Sequence, residues 1–345
     1  MRTHSVRPLA TGMLGLLLLV GTTAAWTRGS LQGPALGDAD RVRIAEAFRL
    51  ADSLGDQLWS GWSTAPFAVL LVTPDHEFLV RHPKATPDFT RLPGVDILGA
   101  PVWSRPRQFD VNLLASFPAV AALPTIVIGQ PENTAAKTST RWVLTLVHEH
   151  FHQLQYSLPG YYPGVSALGL ARGDQQGSWM LNYPFPYTKP DVQAQFAVMC
   201  ARLDEALGQA PGERVVSAVR TYLDAKRAFR GLVSPSDYAY FTFQLWQEGI
   251  ARYTEYRMGE LATTGYSASP AFTALSDFTP YAAAAQALRE RIHEQLRTVK
   301  LGDAGRSAFY AVGAAEGILL DRVNPGWRLQ YSSAGFTLDG LLGVK

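Results

Sequence analysis

The residues best equipped for chemistry are His148-Glu149-His150-Phe151-His152. They contain the spacing His-Glu-x-x-His. On a helix, His148 and His152 fall four residues apart on one face, where two imidazoles can hold one metal ion. Glu149 stands on the flank of that face, close enough to activate a water held by the metal. Zinc-dependent hydrolysis needs this set of groups. The approach to the motif, Trp142-Val143-Leu144-Thr145-Leu146-Val147, is almost wholly apolar, and Phe151 and Leu154 carry the pattern beyond it. Such a helix belongs in a core. Unpaired imidazoles and carboxylates are costly there, and a metal supplies the pairing. His150 points away from the His148–His152 face and is expected to be a hydrogen-bonded histidine outside the site.

A catalytic zinc typically takes three protein ligands plus a water, so another segment must contribute. The run Gln244-Leu245-Trp246-Gln247-Glu248-Gly249-Ile250-Ala251-Arg252-Tyr253-Thr254-Glu255-Tyr256 offers one. Glu248 follows apolar and aromatic residues and is expected to be the third ligand. Gly249 removes a side chain and lets another helix approach closely. Arg252 lies one turn and Glu255 two turns further along the face, where either can orient a ligand from behind. A competing reading pairs Glu149-x-x-His152 with Glu290-Arg291-Ile292-His293 as a di-iron signature. The arginines around the second pair mark a solvated helix face instead, and that reading leaves His148 without a role.

The Glu-Gly-x-Ala-x-Tyr-x-Glu-Tyr run from Glu248 to Tyr256, paired with His-Glu-x-x-His-Gln ending at Gln153, resembles the gluzincin metallopeptidases. It is similar in particular to the catalytic core of the gluzincin aminopeptidases and their peptidase MA-like relatives. The resemblance implies that His148, His152 and Glu248 bind Zn2+ and that Glu149 is the general base. It also implies an oxyanion-stabilising role for Tyr310, because Tyr310-Ala311-Val312-Gly313-Ala314 matches the family's Tyr-x-x-Gly-Ala. There are departures. Between His152 and Glu248 lie 95 residues, where the aminopeptidases have a far shorter interval. Gly129-Gln130-Pro131-Glu132-Asn133 matches only part of the family's amino-terminus-binding Gly-x-Met-Glu-Asn segment, and it sits too near the zinc helix. Glu132 is therefore expected to lie in a loop turn. The resemblance covers three short motifs and not the whole chain.

The elements that must position these residues are legible in outline. Residues 38–58 show helical periodicity. Residues 67–72 and 78–80 are β-rich and flank a Pro-Asp turn, which predicts a hairpin. Residues 124–129 predict a strand shortly before the zinc helix, which Ser139 or Thr140 can cap. The resemblance implies that this strand borders the cleft and pairs with extended substrate. Residues 158–191 are rich in Gly, Pro and Tyr without clear periodicity, and are expected to form a lid or pocket wall, or to cover core. Helices are predicted over 191–208, 211–230, 235–260, 278–299 and 304–322. Gly313 and Gly317 lie one turn apart in the last of these and mark close helix packing. The fold class is α+β: a small N-terminal β-containing lobe (26–190) followed by a mostly helical gluzincin-like lobe (191–345), with the zinc site between them.

Residues 1–25 have the layout of a signal peptide. Arg2 and Arg7 precede an apolar run, and small residues end at Ala25. The run 8–26 is also just long enough to stay as an uncleaved membrane anchor. The expected localisation is exported, periplasmic or extracellular, with membrane contact only through this segment. Removing residues 1–25 takes away two arginines and no acids, so the net charge falls from +2 to 0. No basic field for nucleic acid remains. Cys200 is the single cysteine, which excludes an internal disulfide framework. The expected partner is a peptide or protein substrate, and the oligomeric state stays open. Two functions compete: a secreted zinc metallopeptidase, and a catalytically weak zinc-containing binding protein of the cell envelope.

Overall fold

The computed structural model describes residues 33–174, 177–210 and 212–343. The signal-like stretch and the apolar run 8–26 lie outside them. Among the described residues, no helix is long and apolar enough to cross a membrane. The architecture is mixed α+β, with the strands gathered in the N-terminal part. Leu36–Lys345 forms one compact unit, and the expected boundary at 190/191 falls inside it.

Helix α1 (Asp38–Leu58) leads into six strands, β1 (Val69–Val72), β2 (His76–Val80), β3 (Thr90–Ile97), β4 (Ala100–Pro106), β5 (Leu114–Val120) and β6 (Leu123–Gly129). They form one sheet in the order β3-β4-β2-β1-β6-β5. Only β1 and β6 pair in parallel; the other neighbours are antiparallel. The expected β1–β2 hairpin is present, with Val69 opposite Val80 and Val72 opposite Glu77. Strand alternation divides the apolar residues between two faces. Val69, Leu71, Phe78, Val80, Ile126 and Ile128 join the main core. Leu70, Val72, Leu79 and Val127 face a smaller cluster on the other side.

The predicted strand 124–129 is β6, but its cleft-bordering role is corrected. Both of its edges are occupied, by β1 and β5. The free edge beside the helix that carries His148 and His152 belongs to β5. Strands β3 and β5 form the two edges of the sheet and escape the sequence reading for one reason. Each carries an internal proline, Pro93 or Pro118, and each register shifts there. Proline has no N–H for a ladder, so edge strands and bulges tolerate it.

The rest of the chain is helical: α2 (Ser139–Ser157), the short α3 (Tyr161–Ala167) and α4 (Trp179–Asn182), then α5 (Pro190–Leu207), α6 (Glu213–Arg230), α7 (Pro235–Gln244), α8 (Ile250–Gly265), the short α9 (Pro270–Thr273), α10 (Tyr281–Thr298), the short α11 (Leu301–Ala304) and α12 (Ala308–Val323). Helix α2 packs between the sheet, α1 and α8. Its start departs from expectation. Neither Ser139 nor Thr140 is the N-cap; Thr138 is, and its side chain makes no cap bond. Asp277, in the loop after α9, accepts instead from the Ser139 N–H at 2.9 Å and the Ser139 hydroxyl at 2.6 Å. Pro235 opens α7 behind a reciprocal Ser234–Asp237 capping box.

Between α7 and α8 the chain makes a π turn, Leu245–Gly249, rather than continuing as α-helix. Here α12 comes closest. A Cβ on Gly249 would stand 2.4 Å from Gly313 Cα, and one on Gly317 would meet the Tyr253 ring at 2.7 Å. The close packing expected of Gly249, Gly313 and Gly317 is thus realised where the π turn and α8 meet α12. Gly249→Ala forces backbone apart from backbone and is expected to destabilise the fold by about 3 kcal/mol. Gly326 has ordinary φ and nothing within 4 Å of an added Cβ. Gly326→Ala should therefore stay within about 0.5 kcal/mol of wild type in the same denaturant titration.

Candidate metal centre

Helix α2 supplies His148, Glu149 and His152, all buried in the core. The π turn supplies Glu248. A π turn inserts one residue into the helical register and re-aims the side chains that it carries. The two elements converge. His148 Nε2 lies 3.8 Å and His152 Nε2 3.6 Å from the same oxygen, Glu248 Oε2. The three potential ligand atoms all fall within 4.8 Å of one another. Ligand atoms around a tetrahedral zinc, with bonds of ~2.0–2.2 Å, stand roughly 3.3 Å apart. The two histidine–Glu248 separations stand within about half an ångström of that spacing, and the two imidazoles must close on one another by up to about 1.5 Å.

Each imidazole is also held on its far side. His152 Nδ1 is 2.7 Å from Gln155 Oε1. The Gln155 amide donates to Trp246 O at 3.2 Å, Gln247 O at 3.0 Å and the Tyr331 hydroxyl at 2.7 Å. Those three acceptors fix which end of Gln155 is nitrogen, so its oxygen must accept from His152 Nδ1–H. The Gln247 amide also stands 3.2 Å from Nδ1, but the shorter Gln155 contact decides the tautomer. The Nε2 lone pair of His152 is then directed at Glu248, as a metal ligand requires. His148 Nδ1 faces Glu255 Oε2 at 3.7 Å, and Arg252 Nε stands 3.2 Å from the same oxygen. Glu255 therefore sits behind His148, and Arg252 sits behind Glu255.

Without a metal the cradle draws positive charge. Burial alone would lower the His148 pKa, but the Glu248 and Glu255 carboxylates outweigh it and raise it from 6.5 to about 9. Burial pushes the Glu248 pKa up, yet the neighbouring His152 and His148 hold it well below its ordinary value. Glu149 completes the arrangement. Its Oε2 is buried without a hydrogen-bond partner, which is costly unless a ligand or water meets it. An orphaned carboxylate oxygen beside two imidazole Nε2 atoms and one carboxylate fits a hydrolytic zinc site.

Tyr310, on α12, reaches the same place. The Gly249–Gly313 contact lies one turn from it and sets its depth. Burial first, then the Glu248 charge, keeps its hydroxyl protonated. Arg306 donates to the Tyr310 oxygen and lies 3.6 Å from Glu248 Oε1, and the hydroxyl's own proton is directed at the Glu248 carboxylate. His150 lies outside the cluster, as expected. It stacks on Phe67 at 3.8 Å and faces Gln153 Oε1 at 3.2 Å, and burial lowers its pKa to about 3.

Two segments lie elsewhere. Glu132 is exposed in the 3-10 turn Pro131–Asn133, and neighbouring Gln130 donates to Asp40 of α1. His293 meets Asp204 of α5 at 2.6 Å, and Glu290 is exposed, so neither joins the cluster. The 158–191 stretch divides in two. Tyr161 donates to Gln247 Oε1 beside the site, while Trp179 and Tyr183 pack on α7 and its continuation.

Sequence reasoning missed Gln155, Arg306 and the β5 edge. Gln155 and Arg306 are each about one helical turn from a residue already singled out, which was the available signal. Strand β5 is pinned over the motif. The Ser116 hydroxyl donates to Glu149 O at 3.0 Å, and the Tyr156 hydroxyl donates to Ser116 O at 3.0 Å. No protein-family model, curated protein or solved structure matches this chain.

Zinc binding must displace the proton that His148 carries when its pKa is about 9. Calorimetry of zinc binding to metal-free protein at pH 7.5, repeated in buffers of different ionisation enthalpy, is expected to report release of about one proton. Gln155→Ala removes the acceptor that orients His152 and should weaken zinc binding about ten- to hundredfold with the fold retained. Unchanged affinity would remove Gln155 from the account.

Proposed function

We propose that this chain is an exported zinc metallopeptidase of the gluzincin kind. In this reading His148, His152 and Glu248 hold Zn2+ between the sheet-bearing N-terminal part and the helices that follow. The observation that carries it is the convergence of two imidazole Nε2 atoms on Glu248 Oε2, with the unpartnered Glu149 Oε2 beside them. The leader-like layout of residues 1–25 supports export.

When bound, zinc supplies a Lewis acid that polarises a peptide carbonyl and lowers the pKa of a water. Glu149 takes a proton on its free carboxylate oxygen and returns it to the leaving amine. Tyr310 donates its hydroxyl proton to the substrate carbonyl oxygen as negative charge develops there. Arg306, bonded to the Tyr310 oxygen, holds that hydroxyl in position. Glu255 and Gln155 keep the two imidazoles aligned. The free edge of β5 offers backbone groups to an extended peptide lying across the motif.

A mixed peptide pool digested with and without chelator, with cut sites mapped by mass spectrometry, tests the reading. Cleavage that chelator abolishes and added zinc restores is expected. Zinc retention without cleavage would favour the envelope zinc-binding protein instead. Glu149→Gln should keep its zinc and lose about a hundredfold or more in turnover. Tyr310→Phe should also keep zinc and fold, and lose about 10²–10³ in kcat. A Tyr310→Phe rate near wild type would make the ring a packing element only.

A further inference from the structure

One side of the cradle carries more positive charge than its neighbours use. Arg252 is 84 % buried by its side-chain exposure of 16 %, and its contact with Glu255 engages only Nε, at 3.2 Å. Its Nη1 is buried with no hydrogen-bond partner. The guanidinium lies 5.9 Å from the centre of the Tyr310 ring, which Arg306 approaches to 5.5 Å. Arg141 joins from α2, two turns before His148 on the same face as His148 and His152. Arg291 joins from α10, which packs against α8. Both are half-buried, and among the described residues neither guanidinium has a hydrogen-bond or ion-pair partner. Burial, and then the Arg141 and Arg252 charges, push the Arg291 pKa down. Glu255 is already engaged with His148. Against the three arginines stand only the Glu255 carboxylate, shared with His148, and the exposed Glu294, and like charges gathered in excess of their acceptors are unfavourable unless an anion meets them.

We propose that Arg252, with Arg141 and Arg291, receives a carboxylate of the substrate. The protein then favours peptides bearing a carboxylate close to the scissile bond. This rests on the metallopeptidase reading and adds a substrate class to it. A planar guanidinium matches a carboxylate through two parallel N–H donors, which gives direction as well as charge. The carboxylate has two chemical sources, a free C-terminus or an Asp or Glu side chain.

The test uses mixed-sequence hexapeptide pools in two matched pairs, free against amidated C-termini and interior Glu against Gln. Binding is measured by calorimetry on zinc-loaded Glu149→Gln protein, with and without Arg252→Gln or Arg291→Gln. Cleavage of the same pools by the wild-type chain is followed in parallel. The charged member of at least one pair should bind about tenfold or more tightly, and the arginine variants should erase most of that preference. Arg291→Gln has no native bond to lose, so it keeps the test decisive if Arg252→Gln disturbs folding. The first pair responding assigns the C-terminal carboxylate; the second assigns an acidic side chain. Equal affinity for charged and neutral members, no measurable binding of either, or a preference that survives both variants overturns the proposal. Wild-type cleavage without a charge preference defeats this inference alone. A charge preference without cleavage leaves the receptor standing and defeats the peptidase reading.

Discussion

Two imidazoles buried in an apolar helix must each be satisfied at both ring nitrogens, and the site is built around that requirement. One nitrogen of each ring is turned to the protein behind it, Gln155 for His152 and Glu255 for His148. The other nitrogen of each is turned to Glu248. Removing a partner would leave a desolvated polar group without compensation, which costs about 1–3 kcal/mol even for a neutral one. The partners are secured in turn. Gln155 is fixed by backbone carbonyls of the π turn and by Tyr331, and Glu255 by Arg252. The segment that carries Glu248 therefore also holds the residue that orients His152. Ligand placement and ligand orientation are set by one piece of backbone.

That piece is held by contact between glycines. Gly249 and Gly313 allow the π turn and α12 to meet backbone to backbone. The approach sets the depth of Glu248 and, one turn along α12, of Tyr310. Three segments far apart in the chain thus bring the Glu149 carboxylate, the Tyr310 hydroxyl and three potential ligands to one place. The sheet contributes through β5, whose Ser116 is hydrogen-bonded to both ends of the motif segment, at Glu149 and Tyr156.

What the sequence conveyed followed the range of the interactions. Helices α1, α5, α8 and α12 were legible because apolar periodicity is local, and His148, His152 and Glu248 because their spacing and apolar setting are local too. The meeting of Gly249 with Gly313 was foreseen in kind but not in partner. Strands β3, β4 and β5 were not legible: proline interrupts or ends each, and only the edge positions of β3 and β5 explain why an internal proline is tolerated there. The cap of α2 was misjudged because Asp277 arrives from a distant loop. Gln155 carried only its place one turn after His152 as a sign, since the carbonyls that fix it belong to Trp246 and Gln247.

The most direct test of the central claim is an anomalous difference map at the zinc absorption edge, from crystals of the chain grown with zinc. The account predicts one strong peak ~2.0–2.2 Å from His148 Nε2, His152 Nε2 and a Glu248 carboxylate oxygen. A fully incorporated metal lying elsewhere, or no peak among these three residues at saturating zinc, would contradict it.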